Sequence, residues 1–290
     1  MIKLSFRLLF IVVFVPYLTG CTFKPGGPCD SNIAINSADP LDAAKALGIC
    51  DGLETAKWEL PDGTTSTSES FAVGHGILPN FGIANQAWEG VVLLALSSGT
   101  ARRPSDINYS SPSIGFDKNY AHGYPQASNV EFPISSNACP TPLDAHDGIS
   151  LSVTFKVPRG VTGYSFDFNY FTADYPDSVC TAYADQAAVI LTDKNQASKY
   201  ILFYGNQNPV SSQTAYYEVC AKPSTGYSCP LGGAGLDKTG FDQNGATGWN
   251  TVTESATSGD KVTLKFMIWD SGDGLSDTTI LFDNFKWLTQ

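Results

Sequence analysis

The segment 261–288, KVTLKFMIWDSGDGLSDTTILFDNFKWL, constrains the fold of this chain more than any other stretch. In its first half, Val262, Leu264, Phe266 and Ile268 are separated by single residues, which is the period of a β-strand with one face on a core. The link that follows, DSGDGLSD at 270–277, consists of residues that tolerate positive φ or hydrogen-bond to their own backbone. The segment therefore predicts a β-hairpin with an acidic turn.

The second half of this segment predicts a strand that is buried on both faces. Strict alternation places Leu281, Phe285 and Trp287 on one side and Ile280 and Phe282 on the other. We therefore expect the last strand to be a core element on which the rest of the fold packs.

Other short apolar segments indicate further strands, separated by turn residues. They lie at 55–60, 71–78, 91–96, 149–157, 163–171, 186–192, 199–204, 216–220 and 249–253. This pattern predicts an all-β fold, a two-sheet antiparallel β-sandwich of jelly-roll type with one short N-terminal helix. The segment 100–129 shows no period and contains three prolines, so we expect a long loop that presents a site.

The one helix is predicted between Asp39 and Gly48. Asp39 has the side chain of an N-cap residue, and Gly48 is the residue that ends the helix. Leu41, Ala44 and Leu47 form its expected apolar stripe.

The N-terminus resembles a bacterial lipoprotein signal peptide over residues 1–20. Lys3 and Arg7 precede an apolar run at 8–15, and LTGC at 18–21 matches a lipobox whose Cys21 receives the lipid. The alternative is a membrane-spanning helix, which needs about 20 apolar residues, whereas this run is shorter and is interrupted by Pro16. We predict a lipid-anchored envelope protein, and Thr22 after the cysteine is typical of the outer membrane. Residues 21–32 are then a tether, and 33–290 a single β-sandwich domain.

Six cysteines remain after Cys21, and an even number in an exported chain indicates disulfides. They are Cys29, Cys50, Cys139, Cys180, Cys220 and Cys229. Six cysteines allow fifteen pairings, and proximity along the chain favours 29 with 50 and 220 with 229, which leaves 139 with 180. A zinc site is disfavoured, because the sequence contains no C-x-x-C pair.

Carboxylates cluster around the acidic turn of the C-terminal segment. Asp270, Asp273, Asp277 and Asp283 supply the hard oxygen ligands that Ca²⁺ prefers, although their spacing is not that of an EF-hand. The alternative is that these aspartates cap turns and accept backbone hydrogen bonds. A second acidic group, Asp174, Asp177 and Asp185, lies near Cys180.

No catalytic motif accompanies these carboxylates. The three histidines, His75, His122 and His146, lie outside any H-E-x-x-H pattern, and G-x-S-x-G and phosphate-loop motifs are absent. We expect His146 to be a loop residue. The net charge of −11 argues against nucleic acid as a partner.

Aromatic residues on strands are the candidate binding groups. Neighbouring residues of a strand face opposite ways, so one of each adjacent pair is a candidate for exposure. The candidates are Tyr170, Phe171, Tyr175, Tyr216 and Tyr217. Exposed rings of this kind stack on sugars or on a protein partner. The alternative is that both faces are buried.

Several segments together resemble the bacterial choice-of-anchor L domain. They include AHDGI at 145–149, YSFDF at 164–168, TADYPD at 172–177, GATGW at 245–249 and IWDSGDG at 268–274. The resemblance covers most of 58–288, and it implies an extracytoplasmic β-rich module with no activity assigned to the family. Many members carry Glu at the position of Asp174, which is a departure in this chain.

Together these features predict a non-catalytic surface module that binds a glycan or another envelope protein. The alternatives are a secreted hydrolase whose carboxylates meet only in the folded state, and a purely structural envelope component.

Overall fold

The computed structural model describes residues 29, 33–205, 207–214, 217–224 and 226–289. The predicted signal peptide, Cys21 and most of the tether lie outside these residues. The described residues contain one α-helix, α1 (Pro40–Leu47), and two 3₁₀ helices (Glu69–Gly74 and Ala234–Leu236). Within that range, no helix has the length and apolar character needed to cross a membrane.

Strands make up most of the regular structure in the described residues. In chain order they are β1 (Leu53–Glu59), β2 (His75–Leu78), β3 (Asn80–Phe81), β4 (Asn85–Gln86), β5 (Leu93–Ser97), β6 (Ala145–Lys156), β7 (Val161–Thr172), β8 (Gln186–Thr192), β9 (Ser198–Tyr200), β10 (Phe203–Tyr204), β11 (Asn208–Pro209), β12 (Val219–Cys220), β13 (Gly245–Ala246), β14 (Asn250–Ser255), β15 (Lys261–Ser271) and β16 (Thr278–Thr289).

Two antiparallel sheets form the framework. The five-stranded sheet has the order β1-β6-β15-β8-β9, and the seven-stranded sheet has the order β12-β13-β7-β16-β5-β2, with β14 also paired to β7. The chain crosses between the sheets from β6 to β7, from β7 to β8 and from β15 to β16. The predicted all-β, two-sheet sandwich with one short N-terminal helix is confirmed.

The seven-stranded sheet is covered on both faces. Its inner face, including Phe166 and Phe282, packs against the five-stranded sheet in the main core. Part of its outer face, including Phe171 and Leu281, packs in a second, smaller core with Phe241 from the segment after β12.

The predicted hairpin at 261–288 is wrong in its pairing. β15 pairs with β6 and β8, whereas β16 pairs with β7 and β5 in the other sheet. The link between them therefore crosses from one sheet to the other instead of reversing within one. Alternation in a sequence shows which face is buried and does not identify the partner strand.

A β-bulge decides which side chains of β16 face the main core. The register shifts between Asp283 and Lys286, where Asn284 has a φ of 60°. The extra residue reverses the alternation, so Phe285 and Trp287 join the main core. Burial of β16 on both faces is confirmed, but the predicted division of its side chains between the faces is wrong.

The helix has the predicted ends. The Asp39 side chain accepts a hydrogen bond from the backbone N–H of Leu41 at 2.9 Å, and Gly48 ends the helix with a φ of 107°. Ala44 and Leu47 are buried as expected. Leu41 is 37% exposed, because it lies in the first turn, on the side away from the sandwich.

Three disulfides join the cysteines in the pairing that proximity favoured. They are Cys29–Cys50, Cys139–Cys180 and Cys220–Cys229. The first connects the end of the predicted tether to the residues just after α1, and the second joins two segments that flank β6 and β7. The predicted disulfide framework is confirmed.

Candidate functional site

The predicted acidic turn contains both exposed and buried carboxylates. Asp273 is exposed, and its Oδ1 accepts a hydrogen bond from the backbone N–H of Leu275 at 3.1 Å. This is the turn-capping role that was the alternative to metal binding. Asp270 and Asp277, at the two ends of the link, are 1% and 2% exposed. The link therefore directs two of its three aspartates inward.

Asp283 lies apart from the link. It sits on β16 opposite Asp167 of β7, and its Oδ2 accepts a hydrogen bond from the backbone N–H of Trp88 at 2.6 Å. Six residues of extended chain separate it from Asp277, which corresponds to about 20 Å. The structure therefore does not bring Asp283 to the calcium site that the sequence predicted at the link.

Asp270 and Asp277 instead lie beside two members of the second acidic group, Asp174 and Asp185. The N–H of Asp185 donates to Asp174 Oδ2 at 3.2 Å, and the N–H of Ser271 donates to Asp185 Oδ1 at 3.3 Å. All four carboxylates are at most 2% exposed. We call Asp174, Asp185, Asp270 and Asp277 the aspartate cluster.

The aspartate cluster forms where the two sheets are connected. Asp174 follows β7, Asp185 precedes β8, Asp270 lies near the end of β15 and Asp277 precedes β16. β7 and β16 belong to one sheet, and β8 and β15 to the other. Asp177, the third predicted member of the second acidic group, is exposed and stays outside the cluster.

Burial raises the pKa of every carboxyl in the aspartate cluster, and neighbouring carboxylates raise it further. The pKa rises to about 7 for Asp174 and Asp277, to about 9 for Asp270, and well above its usual value for Asp185. The native state thus binds protons more tightly than the unfolded chain. The stability that these groups contribute is complete below pH 4 and is lost as the pH rises through their native pKa values.

The segment 100–129 places a lysine beside the cluster. Lys118 is 3% exposed; its Nζ donates to the carbonyl of Ser97 at 3.0 Å, and its backbone N–H donates to Asp147 Oδ2 at 2.8 Å. Burial lowers the pKa of Lys118 to about 8, against the opposing effect of Asp147 and three cluster carboxylates. The segment forms none of the strands, as expected, but it contributes to the interior as well as the surface.

The carboxylates of the cluster are adjacent without surrounding a single point. Among the described residues, no three aspartate, glutamate, histidine or cysteine side chains are arranged as ligands of one metal ion. Calcium binding stays a prediction, and the residues concerned differ from those first expected.

The aromatic residues predicted as candidates for exposure are buried wherever they are described. Tyr170, Phe171 and Tyr175 are inaccessible to solvent, and Tyr217 is 2% exposed. Tyr216 lies outside the described residues. The alternative of burial on both faces therefore applies, since these side chains fill the two cores and the packing around Cys220–Cys229.

The most exposed aromatic side chain of the described residues is Trp88, in the segment between β4 and β5. Its side chain is 59% exposed, and its ring centroid lies 5.7 Å from that of Trp249 at an interplanar angle of 41°. Asp283 fixes the Trp88 backbone through the hydrogen bond to its N–H. Burial raises the pKa of Asp283 to about 6. A buried carboxylate of the central strand β16 thus holds the Trp88 backbone, and the Trp88 ring contacts Trp249.

Buried polar atoms without hydrogen-bond partners accompany the two indoles. They are Glu89 Oε2 and Trp249 Nε1. Burial raises the pKa of Glu89, and Lys286 opposes the rise. We call Trp88, Glu89, Trp249 and Asp283 the Trp88 face. It combines the exposed indole ring of Trp88 with a buried donor and a buried acceptor that have no partners, and apolar contact with a few convergent polar groups is typical of ligand sites.

Two clefts formed by the described residues each carry a single carboxylate. One cleft of about 440 Å³ is lined by Asp242 as its single carboxylate, and another of about 470 Å³ by Glu131. Glycoside hydrolysis requires two carboxyl groups about 5–10 Å apart at an accessible site. The aspartate cluster has the carboxyl groups but is closed to solvent.

Within the described residues, none of the three histidine rings hydrogen-bonds to a serine or aspartate side chain. His75 stacks on Trp58 with a centroid distance of 4.1 Å, and burial lowers its pKa to about 4. His122 contacts the carbonyl of Gly123 through Nδ1 at 2.8 Å. His146 lies in strand β6 opposite Asp270, so its predicted position in a loop is wrong.

Comparison with known proteins gives limited information. No family model matches the chain, and no curated protein matches it either. Among solved structures, it is similar to TmCBM61 in complex with β-1,4-galactotriose, at 8% sequence identity and a TM-score of 0.33, over 82% of this chain and 90% of that one. A likeness at this level carries no functional conclusion.

Sequence reasoning missed Trp88 and Lys118. Both lie in segments without periodicity, where no pattern indicates whether a side chain is exposed or buried. The one local signal at Trp88 is a large aromatic residue flanked by Ala87 and Glu89 outside any strand pattern.

Proposed function

We propose that this chain is a lipid-anchored extracytoplasmic protein whose sandwich is a non-catalytic glycan-binding module. The observation that carries the proposal is the Trp88 face. Anchoring through Cys21, export to the bacterial envelope and membership of the choice-of-anchor L family belong to the same proposal, and they rest on the sequence.

The Trp88 face matches the chemistry of a sugar ring. A pyranose has an apolar C–H surface that packs on an indole, and hydroxyl groups that donate and accept hydrogen bonds. At the Trp88 face, the exposed ring of Trp88 offers the packing surface, while Trp249 Nε1 is an unpaired donor and Glu89 Oε2 an unpaired acceptor. Both atoms are buried and unpaired, so a sugar hydroxyl reaches them only when neighbouring side chains move, and the hydrogen bond then removes their desolvation cost.

Replacing Trp88 by alanine is expected to abolish most glycan binding. If stacking on the Trp88 ring contributes about 1.4 kcal/mol or more to the free energy of binding, its loss weakens the affinity at least tenfold. The measurement is binding of the full chain, in detergent, to a glycan array, followed by titration of the best ligand. Trp88→Phe should retain part of the affinity, because a smaller ring remains.

The matched control is Tyr183→Ala, since Tyr183 is also an exposed aromatic residue, at 45%, and is not part of the Trp88 face. Its affinity and melting temperature should equal those of the unchanged chain. If Trp88→Ala binds the glycan as tightly as the unchanged chain, the glycan site does not include the Trp88 face. If no glycan on the array binds and the protein specifically captures an envelope protein, the protein-partner alternative is favoured.

Anchoring predicts that Cys21→Ala releases the protein from the membrane. The unchanged chain should incorporate radiolabelled palmitate. It should also fractionate with membranes, because more than one acyl chain on Cys21 gives stable anchoring. The variant should lose the label and appear in the soluble extracytoplasmic fraction. Labelling and membrane association that persist in the variant would exclude Cys21 as the lipid site.

A screen for glycosidase and esterase turnover tests the hydrolase alternative on the same preparation. Turnover that disappears on replacing one carboxylate of the Trp88 face or the aspartate cluster would contradict the non-catalytic assignment. If neither binding nor turnover is detected, a structural role is favoured.

A further inference from the structure

The aspartate cluster is assembled from two connections between the sheets, the β7–β8 loop and the β15–β16 link with the end of β15. Asp185 contacts Asp174 through its own N–H, and the N–H of Ser271, next to Asp270, donates to Asp185. Ser98 connects the remaining member, because its hydroxyl donates to Asp185 Oδ2 at 3.3 Å and accepts from the N–H that follows Asp277 at 2.9 Å. These contacts place the four aspartates beside one another, although they are up to 103 positions apart in the sequence.

Two oxygens of the aspartate cluster have no hydrogen-bond partner. Asp270 Oδ1 accepts from the N–H of Gly274 at 3.3 Å, and Asp277 Oδ1 accepts from the N–H of Phe116 at 3.2 Å. The Oδ2 atoms of both residues are buried and unpaired. A buried carboxylate oxygen without a partner loses its hydration without compensation, which is costly unless a ligand occupies the site.

The protein supplies too little positive charge to balance the aspartate cluster. With Asp147, this region contains five buried carboxyl groups and one buried ammonium group, that of Lys118. Within the described residues, Lys118 forms no ion pair within 4.0 Å, and its Nζ hydrogen bond goes to the Ser97 carbonyl. Buried charges are normally paired or bound to metals.

We propose that the aspartate cluster binds one Ca²⁺ ion, with Asp174, Asp185, Asp270 and Asp277 as ligands. Ca²⁺ accepts six to eight oxygen ligands in a flexible geometry, which suits four carboxylates from two separate connections between the sheets. Mg²⁺ is disfavoured because it requires a near-ideal octahedron with shorter bonds. The carboxylates lie adjacent but not around one point, so binding requires their side chains to rotate towards the ion.

This site differs from the one that the sequence predicted at the acidic turn. Asp273 and Asp283 are excluded, because one is an exposed turn cap and the other lies far along β16. Asp174 and Asp185 replace them, and they come from the loop between β7 and β8. An ion here would connect the β15–β16 link to the β7–β8 loop, and thus one sheet to the other.

The test is calcium binding by the metal-free full chain in detergent, measured by equilibrium dialysis with radioactive calcium and by thermal unfolding. We expect one ion per chain and a rise in melting temperature of about 5 °C when the calcium concentration is about one hundred times the Kd. Mg²⁺ at the same concentration should give a smaller shift.

Two isosteric variants at the same link provide the matched comparison. Asp270→Asn removes a ligand and should lower calcium affinity at least tenfold, whereas Asp273→Asn changes the exposed turn cap and should leave affinity unchanged. No bound calcium at 1 mM overturns the proposal. Equal calcium binding by Asp270→Asn and the unchanged chain also overturns it, as does loss of binding in Asp273→Asn alone.

Terbium luminescence decides the question if Asp270→Asn does not fold. Trp269 is buried next to Asp270, so its excitation should sensitise Tb³⁺ emission from an ion in the aspartate cluster. Calcium should displace the emission, and the conservative variant Trp269→Phe should reduce it severalfold without changing calcium binding in dialysis. Emission that is unaffected by Trp269→Phe would place the ion elsewhere and contradict the proposal.

Discussion

Removing residues 277–290 should leave a chain without a cooperative unfolding transition. These residues contain β16, which lies between β7 and β5 in the seven-stranded sheet. Their large side chains at 280, 281, 282, 285 and 287 are all at most 9% exposed. Burial of each contributes about 1.5–3 kcal/mol, so their sum is comparable to the whole stability of a typical domain, about 5–15 kcal/mol.

The truncation also breaks the sheet and leaves two unpaired strand edges, which promotes aggregation. The measurement is near-ultraviolet circular dichroism during heating, with hydrodynamic size from gel filtration. The control is a chain that lacks only residues 289–290, which should melt within a few degrees of the unchanged chain. A cooperative transition in the longer truncation would contradict the central position of β16.

Phe266→Ala should lower the free energy of unfolding by about 3–5 kcal/mol. Phe266, on β15, is fully buried and faces two phenylalanines of the other sheet, with centroid distances of 5.4 Å to Phe166 and 4.9 Å to Phe282. Truncation leaves a cavity at the interface of the two sheets, and the surrounding backbone of three long strands has little freedom to close it. The corresponding fall in melting temperature is roughly 10 °C.

Two controls separate the cavity from the substitution itself. Phe266→Leu keeps most of the side-chain volume, so it should lower the free energy of unfolding clearly less than Phe266→Ala. Ile107→Ala removes an 86% exposed side chain and should change the free energy of unfolding by no more than about 0.5 kcal/mol. Thermal unfolding of all three variants under one condition gives the comparison. A loss below 1 kcal/mol in Phe266→Ala would show that this contact does not hold the sheets together.

The site could be predicted from the sequence only in its residue types. Acidic residues near 174–185 and 270–277 were recognisable as two groups, because carboxylates beside glycine in turns are the local signal of hydrogen-bonded or metal-binding loops. In the fold, Asp174 and Asp185 lie beside Asp270 and Asp277. This happens because β7 and β15 end, and β8 and β16 begin, at the same edge of the sandwich. A sequence records spacing along one strand and holds no direct record of which strands are neighbours.

Alternation, cap residues and cysteine spacing are local properties, and they were sufficient for the class of fold. The period of two predicts strands, Asp39 and Gly48 bound the helix, and the nearest cysteines pair, since each depends on a few neighbouring residues. Tertiary structure decided the rest. It placed β15 and β16 in different sheets, reversed the faces of β16 at Asn284, and exposed Trp88 while burying Lys118. These outcomes depend on packing between distant segments, where the free energy of burial selects among arrangements that the local pattern leaves equivalent.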